Sequence, residues 1–129
     1  MKIIDILNAK ESLMQLNKVK FNDFKIVSKV YKLTKQVQNI LDLVQQEQQK
    51  IIDLYVKKDE NGKLVIVNKQ YQFETVEDMN RFVEEMEKMK NTECDDISKI
   101  DIPLQSIQVA SDLTSEEMLR LDPIINWID

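Results

Sequence analysis

Apolar residues in the first half of the chain recur at steps of three and four, the spacing that lines one face of an α-helix. The strongest run starts at Asp23, where Val27, Val30, Thr34, Val37, Leu41, Val44, Gln48, Ile51 and Tyr55 alternate such steps and seven of the nine are apolar. This pattern reads as a heptad seam, with Gln48 at a position where a polar residue can set register. Ile26, Leu33, Ile40 and Leu54 follow at multiples of seven on the neighbouring position and widen the stripe. A helix over residues 23–58 would span roughly 50 Å, a rod that a small domain rarely buries alone. Val30, Val37, Leu41, Val44, Ile51 and Tyr55 are therefore the candidate protein-interaction residues.

Shorter elements flank this helix. Ile6, Leu7, Leu13 and Leu16 predict a first helix over Asp5 to Leu16, and Asn22 is a suitable N-cap for the long helix after a lysine-bearing turn. Asp59-Glu60-Asn61-Gly62 ends that helix with an Asn-Gly turn signal. Lys63 to Val67 and Gln70 to Phe73, separated by Asn68-Lys69, read as a β-hairpin whose alternation suits one buried face. Thr75-Val76-Glu77-Asp78 resembles a capping box with aspartate in place of glutamate, opening a helix over residues 75–91. In that helix Val76, Met79, Phe82, Val83, Met86 and Met89 share a face, with the methionines assigned to a core. Ile97, Ile100 and Ile102 near Pro103 suggest an extended segment, a possible third strand of the hairpin. Thr114-Ser115-Glu116-Glu117 is a second capping box, for a short helix stopping before Asp122-Pro123, and Ile124, Ile125, Trp127 and Ile128 form an apolar end. The expected fold class is thus mainly α with a small β element (α+β): one long amphipathic helix, two or three shorter helices, and a hairpin.

Composition narrows the chemistry. The 129 residues suit a single domain, divided as 1–22, 23–58, 63–73, 75–91 and 97–129. No histidine is present, which removes the commonest general base and zinc ligand. Gly62 is the only glycine, so neither a P-loop nor a dinucleotide fingerprint can be built in its usual form. Asp59 to Gly62 does not fit a calcium loop, since glycine falls fourth where an EF-hand needs it sixth. Cys94, amid Glu93, Asp95 and Asp96, reads as a structural thiol in a solvated acidic loop. The adjacent Asp95 and Asp96 project apart, making a poor catalytic pair. No catalytic, cofactor-binding or metal residues are assigned, no cofactor is expected, and the chain is expected not to be an enzyme. A charge close behind Met1 and the lack of a long apolar run imply no secretory leader and no membrane span, hence a cytoplasmic protein.

Charge is unevenly distributed. The net −5 divides into 13 basic and 8 acidic residues over 1–70, against 5 and 15 over 71–129. Lys18, Lys20, Lys25, Lys29, Lys32 and Lys35 form a basic stretch that includes Phe21, Phe24 and Tyr31. Nucleic acid is not the expected partner, because those aromatics are assigned to the apolar side and the chain has few arginines. The alternative is the protein's own acidic helix, with Glu77, Asp78, Glu84, Glu85 and Glu87, in the same or another copy.

The order of segments also carries a resemblance. Leu7-Asn8-Ala9 in a short leading helix, a lysine-rich turn, the long helix, Lys58 to Leu64, a Phe73-led acidic helix, and Leu113-Thr114 with Glu117 ahead of Leu121-Asp122-Pro123-Ile124-Ile125 follow one another. This layout resembles a family of small uncharacterised proteins encoded by tailed phages and prophages of low-GC Gram-positive bacteria. The resemblance implies phage origin and brings no activity, cofactor or site residues with it. The expected function is non-enzymatic protein binding, with self-association as a homo-oligomer, in an assembly factor or small structural component. The alternative is a monomeric inhibitor or adaptor of a host defence or replication protein.

Overall fold

A computed structural model describes residues 1–107 and 113–129. The stretch 108–112, within the predicted 97–129 segment, lies outside the described residues. The fold is α+β: α1 (Ile3–Leu16), α2 (Phe24–Tyr55), β1 (Ile66–Val67), β2 (Gln70–Tyr71), α3 (Val76–Lys90), β3 (Ile100–Pro103), a 3-10 turn (Leu104–Ser106), α4 (Ser115–Leu121) and β4 (Ile125–Ile128). By contact the chain forms two compact units, Met1–Asp42 with Glu93–Asp129, and Leu43–Thr92, the boundary falling inside α2.

In the first unit α4 packs across α1, and Ile6, Leu16, Ile102, Leu121 and Ile124 are fully buried. Thr114 caps α4 through a complete box: its hydroxyl accepts from the Glu117 N–H at 3.2 Å, and its own N–H donates to the Glu117 carboxylate at 3.3 Å. Asp23, not Asn22, caps α2, accepting from the Lys25 N–H at 2.9 Å. Asn22 is diverted because its backbone N–H donates to Ser106 O and its amide to Gln105 O, tying the turn before α2 to the 3-10 segment. The extended segment after Ile97 does not join the hairpin. β3 instead pairs in parallel with β4, Ile102 opposite Trp127, whose indole N–H donates to Met118 O of α4 at 3.2 Å. Pairing there lets Ile102 and Ile125 reach zero and near-zero exposure, a burial the small hairpin cannot offer.

Burial along α2 follows the backbone's own period. The row Val30, Val37, Val44, Ile51 is buried throughout. Ile26, Leu33 and Ile40 are buried too, yet Leu54 of the same row is 73% exposed. Conversely Val27 is exposed, whereas Thr34, Leu41, Gln48 and Tyr55 of its row are half-buried. A straight helix advances 100° per residue, so each heptad row drifts about 20° per repeat. One flanking row therefore leaves the core as the other approaches it. The seam expected on Val27, Thr34, Leu41, Gln48 and Tyr55 is thus displaced toward Ile26, Leu33 and Ile40 in the first unit.

In the second unit β1 and β2 form an antiparallel hairpin, Ile66 opposite Tyr71, around a two-residue turn in which Asn68 (φ 52°) and Lys69 (φ 65°) are both left-handed. Lys57, Val65 and Gln72 close a ring of backbone bonds: Lys57 N–H to Gln72 O, Val65 N–H to Lys57 O, and Gln72 N–H to Val65 O. The Asp59 carboxylate accepts from the N–H groups of Asn61 (2.8 Å) and Lys63 (3.0 Å), shaping the turn in which Gly62 takes φ 76°. That carboxylate oxygen serves the turn. Neither strand has the buried face expected of it, for all four strand residues are exposed. Thr75 caps α3, accepting from the Asp78 N–H at 3.1 Å.

Candidate protein-interaction surface

The residues predicted to meet a partner lie mostly inside the protein. Val30, Val37, Val44 and Ile51 are buried by the chain's own packing, and Leu41 and Tyr55 are half-buried. Leu41 and Val37 border a groove of about 60 Å³ between α1 and α2, together with Lys10, Leu13, Met14, Asn17, Thr34 and Gln38. The Thr34 hydroxyl donates to Val30 O at 2.7 Å and accepts from the Asn17 amide at 3.0 Å, so the polar groups there satisfy one another. Ligand pockets occupy some 300 to 1,000 Å³, and this groove is far below that.

Exposed apolar surface is concentrated elsewhere. On α3 Val76 is 69% exposed, Met79 and Val83 are also exposed, and no residue of the helix is buried. Positions 76, 79 and 83 recur at helical spacing and form one stripe. The assignment of the α3 methionines to a core is corrected accordingly: Met79 faces solvent, and Met86 and Met89 are half-buried. The inner side of α3 is held by Phe82, whose ring lies 5.2 Å from that of Phe73 and 6.0 Å, edge-on, from that of Tyr71. These contacts leave Ile66 and Val67 of the hairpin at the surface. Within the second unit only Val44, Ile51 and Val56 are buried apolar residues. Composition held no signal for this: outside α3, residues 43–92 include thirteen apolar side chains, and only their packing leaves the stripe uncovered among the described residues.

A second surface lies on the first turns of α2. Phe24 is 82% and Tyr31 58% exposed, which reverses their assignment to the apolar side. The reversal is geometric, because the core is centred on Ile26, Val30 and Leu33, roughly opposite Phe24 at 100° per residue. Lys18, Lys20, Lys25, Lys29, Lys32 and Lys35 are all exposed, and none forms an ion pair among the described residues. The Lys35 ammonium instead sits 5.6 Å from the centroid of the Tyr31 ring.

The remaining polar clusters are simpler. Cys94 is buried, its N–H donating to Met1 O at 2.7 Å, while Glu93, Asp95 and Asp96 around it are exposed. Among the described residues no group of three or more cysteine, aspartate or glutamate side chains could hold a metal ion. No helix among them is long and apolar enough to cross a membrane. Compared with family models, curated proteins and solved structures, the chain matches none.

Proposed function

We propose that this chain is a non-enzymatic protein-binding component that self-associates through the exposed face of α3 and the adjoining hairpin. The observation that carries this reading is the stripe of Val76, Met79 and Val83, an apolar helix face exposed among the described residues. A second copy is the occupant that fits, because the same apolar stripe on each copy can pack against the other about a two-fold axis. The broader role, an assembly factor or small structural component of a phage or prophage working in the bacterial cytoplasm, rests on the resemblance in segment order.

Light scattering on the purified chain tests the reading. A dimer or larger species is expected at tens of micromolar, with a melting temperature that rises with concentration. Val83→Glu is expected to yield a monomer, since a carboxylate would be buried unpaired at the contact, and to leave the monomer's fold unchanged because Val83 is exposed within it. A wild-type chain that remains strictly monomeric overturns self-association.

A further inference from the structure

The first turns of α2 carry a surface that self-association through α3 leaves unused. Phe24, Tyr31 and Lys35 fall within an arc of about 40° around the helix, on the side away from the buried seam. Lys32, Lys25 and Lys29 lie about 80°, 100° and 140° around the helix from Phe24, still on exposed positions, and residues 24–41 include no carboxylate. Thus a chain of net charge −5 presents, over residues 24–41, a broad exposed face with four lysines, two exposed rings and no carboxylate.

We infer that this face binds single-stranded nucleic acid, the lysines contacting phosphates and Phe24 and Tyr31 stacking on bases. Aromatic side chains in water need a flat apolar partner, and lysines without local counter-ions need an anionic one. Bases on a phosphate backbone supply both. The rings are seven residues apart, roughly 10 Å along the axis. In a duplex the base faces are already stacked on one another, whereas an extended single strand can present separate bases to the two rings. A lipid surface fits less well, because an interfacial helix inserts a broad apolar face. The broad apolar face of α2 is buried in its own core, and in the first three turns only the narrow line of Phe24, Val27 and Tyr31 remains outside. With lysine in place of arginine, the contacts would be point charges on phosphate, not bidentate readers of base edges, so binding is sequence-independent.

The test is fluorescence anisotropy of the full chain with a labelled 20-nucleotide thymidine or uridine oligomer. Binding is expected to weaken with salt at a log–log slope of about −2 to −3, as for three or four lysine–phosphate contacts. Tyr31→Ala is expected to weaken it about ten-fold, the usual scale for losing one stacked base. Lys25→Gln combined with Lys29→Gln should reduce both affinity and slope, while Lys58→Gln combined with Lys63→Gln, on exposed positions outside this face, should change the slope much less. Circular dichroism checks that the variants are folded. No binding at low salt, or binding indifferent to Phe24→Ala and Tyr31→Ala, overturns the inference. So does preferential binding of phosphatidylserine vesicles or of polyglutamate, either of which would assign the face to lipid or to an acidic protein. The Val83→Glu monomer is expected to retain oligomer binding, which separates this inference from self-association through α3.

Discussion

The two units draw on the same kinds of apolar side chain, yet only one closes them into a core. In Met1–Asp42 with Glu93–Asp129, faces from α1, α2 and α4 and the β3–β4 pair supply Ile6, Leu16, Leu33, Ile102, Leu121 and Ile124, all nearly inaccessible to water. In Leu43–Thr92, the end of α2, a hairpin of two-residue strands and α3 bury three apolar residues and leave Val76, Met79, Val83, Ile66 and Val67 outside. Chain length accounts for much of this. Below about 60 residues a unit has too little interior for its surface, and a stripe on its one free helix has no third layer to pack against. An unclosed unit with regular, capped elements is therefore a place where stability and association are linked.

The difference can be broken most directly at the seam of α2. Leu33→Ala, at 1% exposure, is expected to cost about 2 to 5 kcal/mol in thermal melts followed by circular dichroism, since the lost side chain leaves a cavity in the closed unit. A loss below that range would mean that the first unit's core is looser than its burial implies. In the second unit the larger sensitivity should lie in the backbone. Gly62→Ala is expected to cost about 1 kcal/mol in urea denaturation. A Cβ there meets nothing within 4 Å, so the whole cost would come from φ 76° and not from crowding.

Smaller effects sharpen the contrast. Ser12 is buried with a hydroxyl that has no hydrogen-bond partner among the described residues, so Ser12→Ala is expected to be neutral or to stabilise by up to about 1 kcal/mol, as read by melting temperature. A clear loss of stability would reveal a partner for that hydroxyl. Leu54→Ala should change stability by no more than about 0.5 kcal/mol, although Leu54 belongs to the same heptad row as Leu33. Equal penalties at the two positions would show that α2 keeps a strict heptad seam and that the drift of its rows is wrong.

Much of the fold was legible because its signals are local. The Thr114 to Glu117 box, the glycine turn at 59–62 and the Asn68-Lys69 reversal each concern groups within a few residues of one another, whose geometry the local side chains and backbone decide together. The candidate surface was less legible. Periodicity revealed that α3 has an apolar face, but whether Met79 and Val83 are covered depends on how much apolar surface the rest of 43–92 can bring to them. Lysines 25, 29 and 32 were visible as one face, while the direction of Phe24 and Tyr31 required knowing where the core is centred.

From its sequence alone this protein was bound to form a long amphipathic helix with capped shorter helices and a hairpin, because helix period, capping and turn chemistry act over fewer than about ten residues. Tertiary structure alone decided which flanking row of α2 became core, that Asn22 would tie to the 3-10 turn instead of capping, and that β3 would pair with the C-terminal β4. Each of those outcomes was a competition between alternatives of similar local merit. For the α2 row and the β3–β4 pair it was settled by which arrangement removed more apolar surface from water, and for Asn22 by hydrogen bonds to Gln105 and Ser106, both of which exist only once distant segments have met.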